Sequence, residues 1–150
     1  MEKPFVLVAD DNEATCTLIT ALLHDDFVVE IAADGMEAIA KLRNRQYAAI
    51  LLDLRMPRVD GFGVLDFLRD ERPALLGRTL VVTAALSPRE LDRVRHYEIC
   101  GIVPKPFEID ELLALVRDCA AIDGATDVRG PFLTSGMILL LADFLRQRLM

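Results

Sequence analysis

Asp53 closes an apolar run, Ala48-Ala49-Ile50-Leu51-Leu52, and is followed by Leu54-Arg55-Met56-Pro57. A carboxylate at the end of a buried strand costs free energy unless something pairs with it. Three other apolar runs end in polar residues. Phe5-Val6-Leu7-Val8-Ala9 runs into Asp10-Asp11, Leu80-Val81-Val82 into Thr83, and Cys100-Gly101-Ile102-Val103-Pro104 into Lys105-Pro106. If the runs are parallel strands, Asp10, Asp11, Asp53, Thr83 and Lys105 meet at one edge of one sheet. Such a set suits a divalent cation and a phosphoryl group. Acids from two strand ends offer the oxygen ligands that magnesium prefers. Asp53 is then a candidate nucleophile, since carboxylates form aspartyl-phosphate intermediates. Lys105 offers a point charge to a phosphoryl oxygen, and Thr83 a hydrogen bond to another.

The elements that would position these residues alternate in type. Strands are expected at Phe5–Ala9, Phe27–Ala32, Ala48–Leu52, Thr79–Val82 and Gly101–Val103. Helices are expected near Asn12–His24, Gly35–Asn44, Phe62–Glu71, Pro88–Tyr97 and Glu108–Ala121. The strands are continuously Val/Leu/Ile-rich, as in parallel sheets covered on both faces. Five βα repeats imply an α/β fold, a doubly wound five-stranded parallel sheet of the flavodoxin-like kind, which binds ligands outside the carboxyl ends of its strands. Local signals agree. Ser87 before Pro88, with Glu90 three residues on, reads as a capping box with proline at the first helical position. Asp34-Gly35 and Asp60-Gly61 read as turns into helices, and Pro73 ends the helix before it.

Each residue also has an ordinary reading. Asp53 could cap a turn, Asp10-Asp11 could cap the first helix, Thr83 could simply end a strand, and Lys105 could be a solvated loop lysine. Their placement at separate strand ends argues for a site. The segments Val6-Leu7-Val8-Ala9-Asp10-Asp11-Asn12, Ile50 to Gly61, Val81-Val82-Thr83-Ala84-Ala85 and Lys105-Pro106-Phe107 resemble the receiver domain of a two-component response regulator. The resemblance spans roughly residues 4–121. It implies that Asp53 is the phosphoacceptor, that Asp11 ligates Mg2+ directly, and that Asp10 acts mainly through water. It implies that the backbone carbonyl of Arg55 completes the protein ligands, and that Thr83 and Lys105 are the switch hydroxyl and the phosphate-binding lysine. A cis peptide before Pro106 is expected with it. One position departs from the pattern: Ile102 stands where the family commonly carries an inward-swinging aromatic ring.

The resemblance implies a sensor histidine kinase or phosphotransfer protein as donor, and an output protein that the sequence does not name. It describes a phosphoacceptor signalling domain that assists its own phosphotransfer and dephosphorylation. The rival is a phosphohydrolase turning over an aspartyl-phosphate on small substrates. That chemistry usually needs a second acid and a substrate-covering cap. Leu54-Arg55 supplies no acid, and no cap-sized insertion is visible.

Composition bounds the rest. With 150 residues, 53% of them hydrophobic, one domain with a sizeable core is expected. No run approaches a membrane span and no signal peptide is evident, so a cytoplasmic protein is expected. A net charge of −7 fits poorly with direct DNA or anionic membrane binding. Cys16, Cys100 and Cys119 are far apart, and are read as buried thiols of a reducing compartment. The expected division is a receiver over residues 1–121, then a linker and C-terminal apolar helix over 122–150. That tail carries three Asp and three Arg, so the acidity belongs to the receiver, and no DNA-binding output domain is expected in it. On a helical projection of Met137–Met150, seven large apolar residues share one face. The helix could cover its own receiver, form a homodimer or dock a partner, or lie on a membrane; too few basic residues flank it to favour the last.

Overall fold

The computed structural model describes residues 2–121. The linker and tail helix expected over 122–150 lie outside the described residues. The chain runs β1 (Phe5–Ala9), α1 (Glu13–Leu23), β2 (Val28–Ala32), α2 (Gly35–Asn44), β3 (Ala49–Leu52), α3 (Gly61–Glu71) and α4 (Pro73–Leu76). It continues through β4 (Thr79–Thr83), α5 (Pro88–Val94), β5 (Gly101–Pro104) and α6 (Ile109–Ala120). The five strands form one parallel sheet in the order β2-β1-β3-β4-β5.

The continuous apolar runs are explained by the pleat. Successive side chains point to opposite faces, and both faces are covered. Leu7, Ala9, Ile50, Leu52, Val81 and Ile102 face a core shared with α2, α3, α4 and α5. Val6, Val8, Ala49, Leu51, Leu80, Val82 and Val103 face a second core with α1 and α6. Each fully buried leucine, such as Leu7, Leu51 or Leu80, contributes about 1.5–3 kcal/mol through removal from water.

Differences from the expected boundaries have local causes. The strands carrying Thr83 and Pro104 each extend one residue further, because Thr83 pairs with Pro104 in the ladder. The helix from Pro88 stops at Val94 rather than Tyr97; Tyr97 instead donates its hydroxyl to Asp66 of α3. After Pro73 a short extra helix forms. Proline suits its first turn, and Leu75 and Leu76 are buried beneath it.

The cysteines require a correction. Cys100 and Cys119 form a disulfide, with Cα atoms 6.2 Å apart, and only Cys16 is a free, buried thiol. Their sequence separation of 19 hid the pairing in the sequence. In space, α6 runs back across the sheet, so its last turn returns to Cys100, just ahead of β5.

Candidate functional site

Register brings the strand ends together. Ala9 pairs with Leu52 and Leu52 with Val81, so Asp10 and Asp53 leave neighbouring strands side by side. The Asp53 N–H continues the ladder, donating to the Ala9 carbonyl at 2.9 Å. Thr83 closes β4 one strand away, and the Lys105 N–H donates to the Thr83 carbonyl at 2.9 Å. The Lys105–Pro106 peptide is cis, as the resemblance implied.

The Asp53 carboxylate is 6% exposed and surrounded by donors. Its Oδ1 accepts from the Thr83 hydroxyl at 3.0 Å and from the Arg55 N–H at 3.1 Å. Its Oδ2 accepts from Lys105 Nζ at 3.1 Å. The same ammonium donates to Asp10 Oδ2 at 2.7 Å, and Asp10 Oδ1 takes the Asn12 N–H at 2.9 Å. Burial works against the Lys105 charge, but hydrogen bonds and attraction from Asp10 and Asp53 outweigh it and raise its pKa. Asp11 is exposed, and one carboxylate oxygen from each of Asp10, Asp11 and Asp53 lies within 4.8 Å of the others.

Three carboxylates thus face one ammonium, an excess of negative charge on a partly buried rim. The donors are all oxygen and come from two strand ends, which suits a hard divalent cation. Asp10, Asp11, Asp53, Thr83 and Lys105, singled out by their places at strand ends, all fall on this rim. Gly61, at the start of α3, fits beneath it: a Cβ there would sit 2.5 Å from the Asp53 carbonyl oxygen and 2.6 Å from Leu54 Cα. Ile102, at the position of the family's aromatic, is 5% exposed and packed in the core.

Two features escaped sequence reasoning. The Arg55 guanidinium reaches Glu90 Oε1 at 2.8 Å and the Ala85 carbonyl at 3.3 Å. Glu90 also completes the capping box of α5 by accepting the Ser87 N–H. That hydrogen bond, with help from Arg55, holds the Glu90 carboxyl below its usual range. The capping box was legible from spacing, but a partner 35 residues away was not. On the far side of the site, Arg58, with φ 67°, turns the β3–α3 loop and pairs with the buried N-cap Asp34 at 2.8 Å.

The parallel sheet and its acidic rim define a protein class, and comparison with known proteins agrees. The family model described as the response regulator receiver domain matches residues 6–117. The chain belongs to this family and is a two-component response regulator receiver. Among similar proteins, response regulator MprA of Mycobacterium sp. (strain KMS) is 37% identical over 116 residues, covering 75% of this chain and 48% of its own length. Transcriptional regulatory protein TctD of Salmonella typhimurium (strain LT2) is 35% identical over 115 residues, covering 75% of this chain and 50% of its own. The chain therefore spans about half the length of these relatives. The receiver protein from Pseudomonas putida superposes with a TM-score of 0.71 at 29% identity, covering 79% of this chain and 98% of its own. Among the described residues, no helix is long and apolar enough to cross a membrane.

Proposed function

We propose that Asp53 takes up a phosphoryl group from a phosphohistidine of a sensor histidine kinase or phosphotransfer protein, and that this changes how the chain engages an output partner. The observation that carries this reading is the Asp53 carboxylate itself, held between Thr83, Lys105 and the Arg55 N–H with two acids beside it. An Asp53 carboxylate oxygen attacks phosphorus; the P–O bond to aspartate forms as the P–N bond to the donor imidazole breaks. The imidazole keeps the electron pair of that bond. Lys105 stays beside the acceptor oxygen and offsets the charge gathering there. The Thr83 hydroxyl turns from the carboxylate oxygen to a phosphoryl oxygen.

Mg2+ fits the oxygen donor set. Asp11, Asp53 and the Arg55 carbonyl would hold it directly and Asp10 through water; when bound it neutralises charge on the phosphoryl oxygens. The same groups would assist hydrolysis of the acyl phosphate, so the domain sets its own signal lifetime. The family match favours this role over the phosphohydrolase. We place the protein in the cytoplasm on family grounds alone, since the Cys100–Cys119 disulfide removes the argument from reduced thiols. Residues 122–150 are proposed as a linker and C-terminal apolar helix that covers this receiver, joins two copies or docks a partner. Direct DNA or membrane contact is not proposed for a chain of net charge −7.

The test is intact mass after treatment with acetyl phosphate and MgCl2, where the P–O bond to acetate breaks instead. One added phosphoryl group is expected in the wild type and none in Asp53→Asn. Equal labelling of both would reject the assignment.

A further inference from the structure

Among the described residues, the Arg55 side chain is the one that hydrogen-bonds the turn after Asp53 to the segment leading into α5. Its backbone N–H rests on Asp53 Oδ1. Its guanidinium holds Ala85, two residues beyond Thr83, and Glu90 in the first turn of α5. Thr83 donates to the same Asp53 oxygen, so Arg55 is tied to the acceptor carboxylate by its backbone and to the segment after Thr83 by its guanidinium. The ion pair is partly solvated, with side chains 55% and 25% exposed. An exposed pair adds little stability, so its interest lies in what competes for it. A phosphoryl group on Asp53 replaces the carboxylate's single negative charge with about two and adds three acceptor oxygens within two residues of Arg55. A guanidinium matches phosphate in a planar fork, whereas Glu90 offers one oxygen that it already shares with the Ser87 N–H. Lys105 is already committed to Asp10 and Asp53. Arg58 is committed to Asp34.

Resting on the phosphoacceptor reading above, we propose that Arg55 is a positioning residue whose guanidinium leaves Glu90 and the Ala85 carbonyl for the phosphoryl oxygens, loosening residues 84–91. This supplies a route from Asp53 to α5 in a chain whose aromatic switch position holds a buried isoleucine, Ile102.

Backbone amide exchange across residues 84–91 in the full chain tests it, with and without acetyl phosphate and MgCl2, while intact mass of the same samples reports the phosphoryl group. In the wild type, loading should speed exchange about fivefold, the low end of usual coupling between sites. In Arg55→Ala the unloaded protein should already exchange at the loaded wild-type rate, and loading should add little. Glu90→Gln keeps a side-chain oxygen for the Ser87 N–H but loses the charge, and should lose most of the loading response as well. A merely structural arginine would raise both rates in Arg55→Ala and leave their ratio at the wild-type value, which overturns the proposal. So does a wild type that gains the mass with no change in exchange. A wild type that gains no mass overturns the phosphoacceptor reading first, and this inference falls with it.

Discussion

The hydroxyl of Thr83 is fully buried and its one resolved hydrogen bond is to Asp53 Oδ1. A hydroxyl so placed can follow an oxygen that moves from carboxylate to phosphoryl. Ile102 has no polar atom to follow anything. Thr83→Ala should therefore accept a phosphoryl group yet lose the accompanying chemical-shift changes along β4 and β5. Ile102→Val should cost about 1 kcal/mol from the lost methylene and keep those changes. Shift maps of both loaded variants decide the matter; a normal response in Thr83→Ala would refute the hydroxyl's role. At this scale the sequence was most legible. Asp10, Asp11, Asp53, Thr83 and Lys105 each close an apolar run, and a chain cannot place that pattern on parallel strands without gathering them. The side-chain path of Arg55 was not legible, because nothing in Leu54-Arg55-Met56 points to Glu90.

Elements in this fold meet where glycine allows it. α3 begins at Gly61 against the backbone of Asp53 and Leu54. An alanine there meets main chain, which cannot rotate away. Gly61→Ala should destabilise the protein by about 3 kcal/mol, the upper end of the usual overpacking cost, and slow phosphoryl uptake by displacing Asp53. Urea melts paired with intact-mass time courses would show both, and an unchanged melt would contradict the packing. α5 is held differently, by the Ser87–Glu90 box and by Arg93 over the Phe62 ring at 4.0 Å. The folded-state pKa of Glu90 is lowered, so its contribution is present above the ordinary glutamate pKa. It is lost as pH falls through the lowered folded value. Exchange at the start of α5 should rise over that acidic window, and Glu90→Gln should flatten the rise. The Ser87-Pro88-Glu90 spacing announced this helix's start. Its early end did not show, because the Tyr97–Asp66 bond depends on how α3 and α5 pack.

For the whole molecule, the alternation of apolar runs and helices was enough to give five parallel strands, since buried strands need no period of their own. The disulfide was missed for the same reason that the site was found: sequence shows what each strand ends in, not which distant turn comes back to it. The loop closed by Cys100 and Cys119, at a sequence separation of 19, should stabilise the fold by about 3 kcal/mol through the unfolded chain. Cys119→Ser should lower stability by that amount. Thiol titration of the denatured wild type should find one group before reduction and three after.

That crosslink lies at the end of the sheet away from Asp53. Cys100 precedes the first residue of β5, and the Ala120 carbonyl accepts from Arg78, just ahead of β4. Strands four to five residues long rise about 3.3 Å per residue. The chain therefore passes Ala121 ~15 Å from the carboxylate rim, across the full height of the sheet. A fluorophore attached there would be insulated from the charge of the site itself and would report only motion carried through β5 and α6. The covalent clamp at its root would keep local fraying out of that signal.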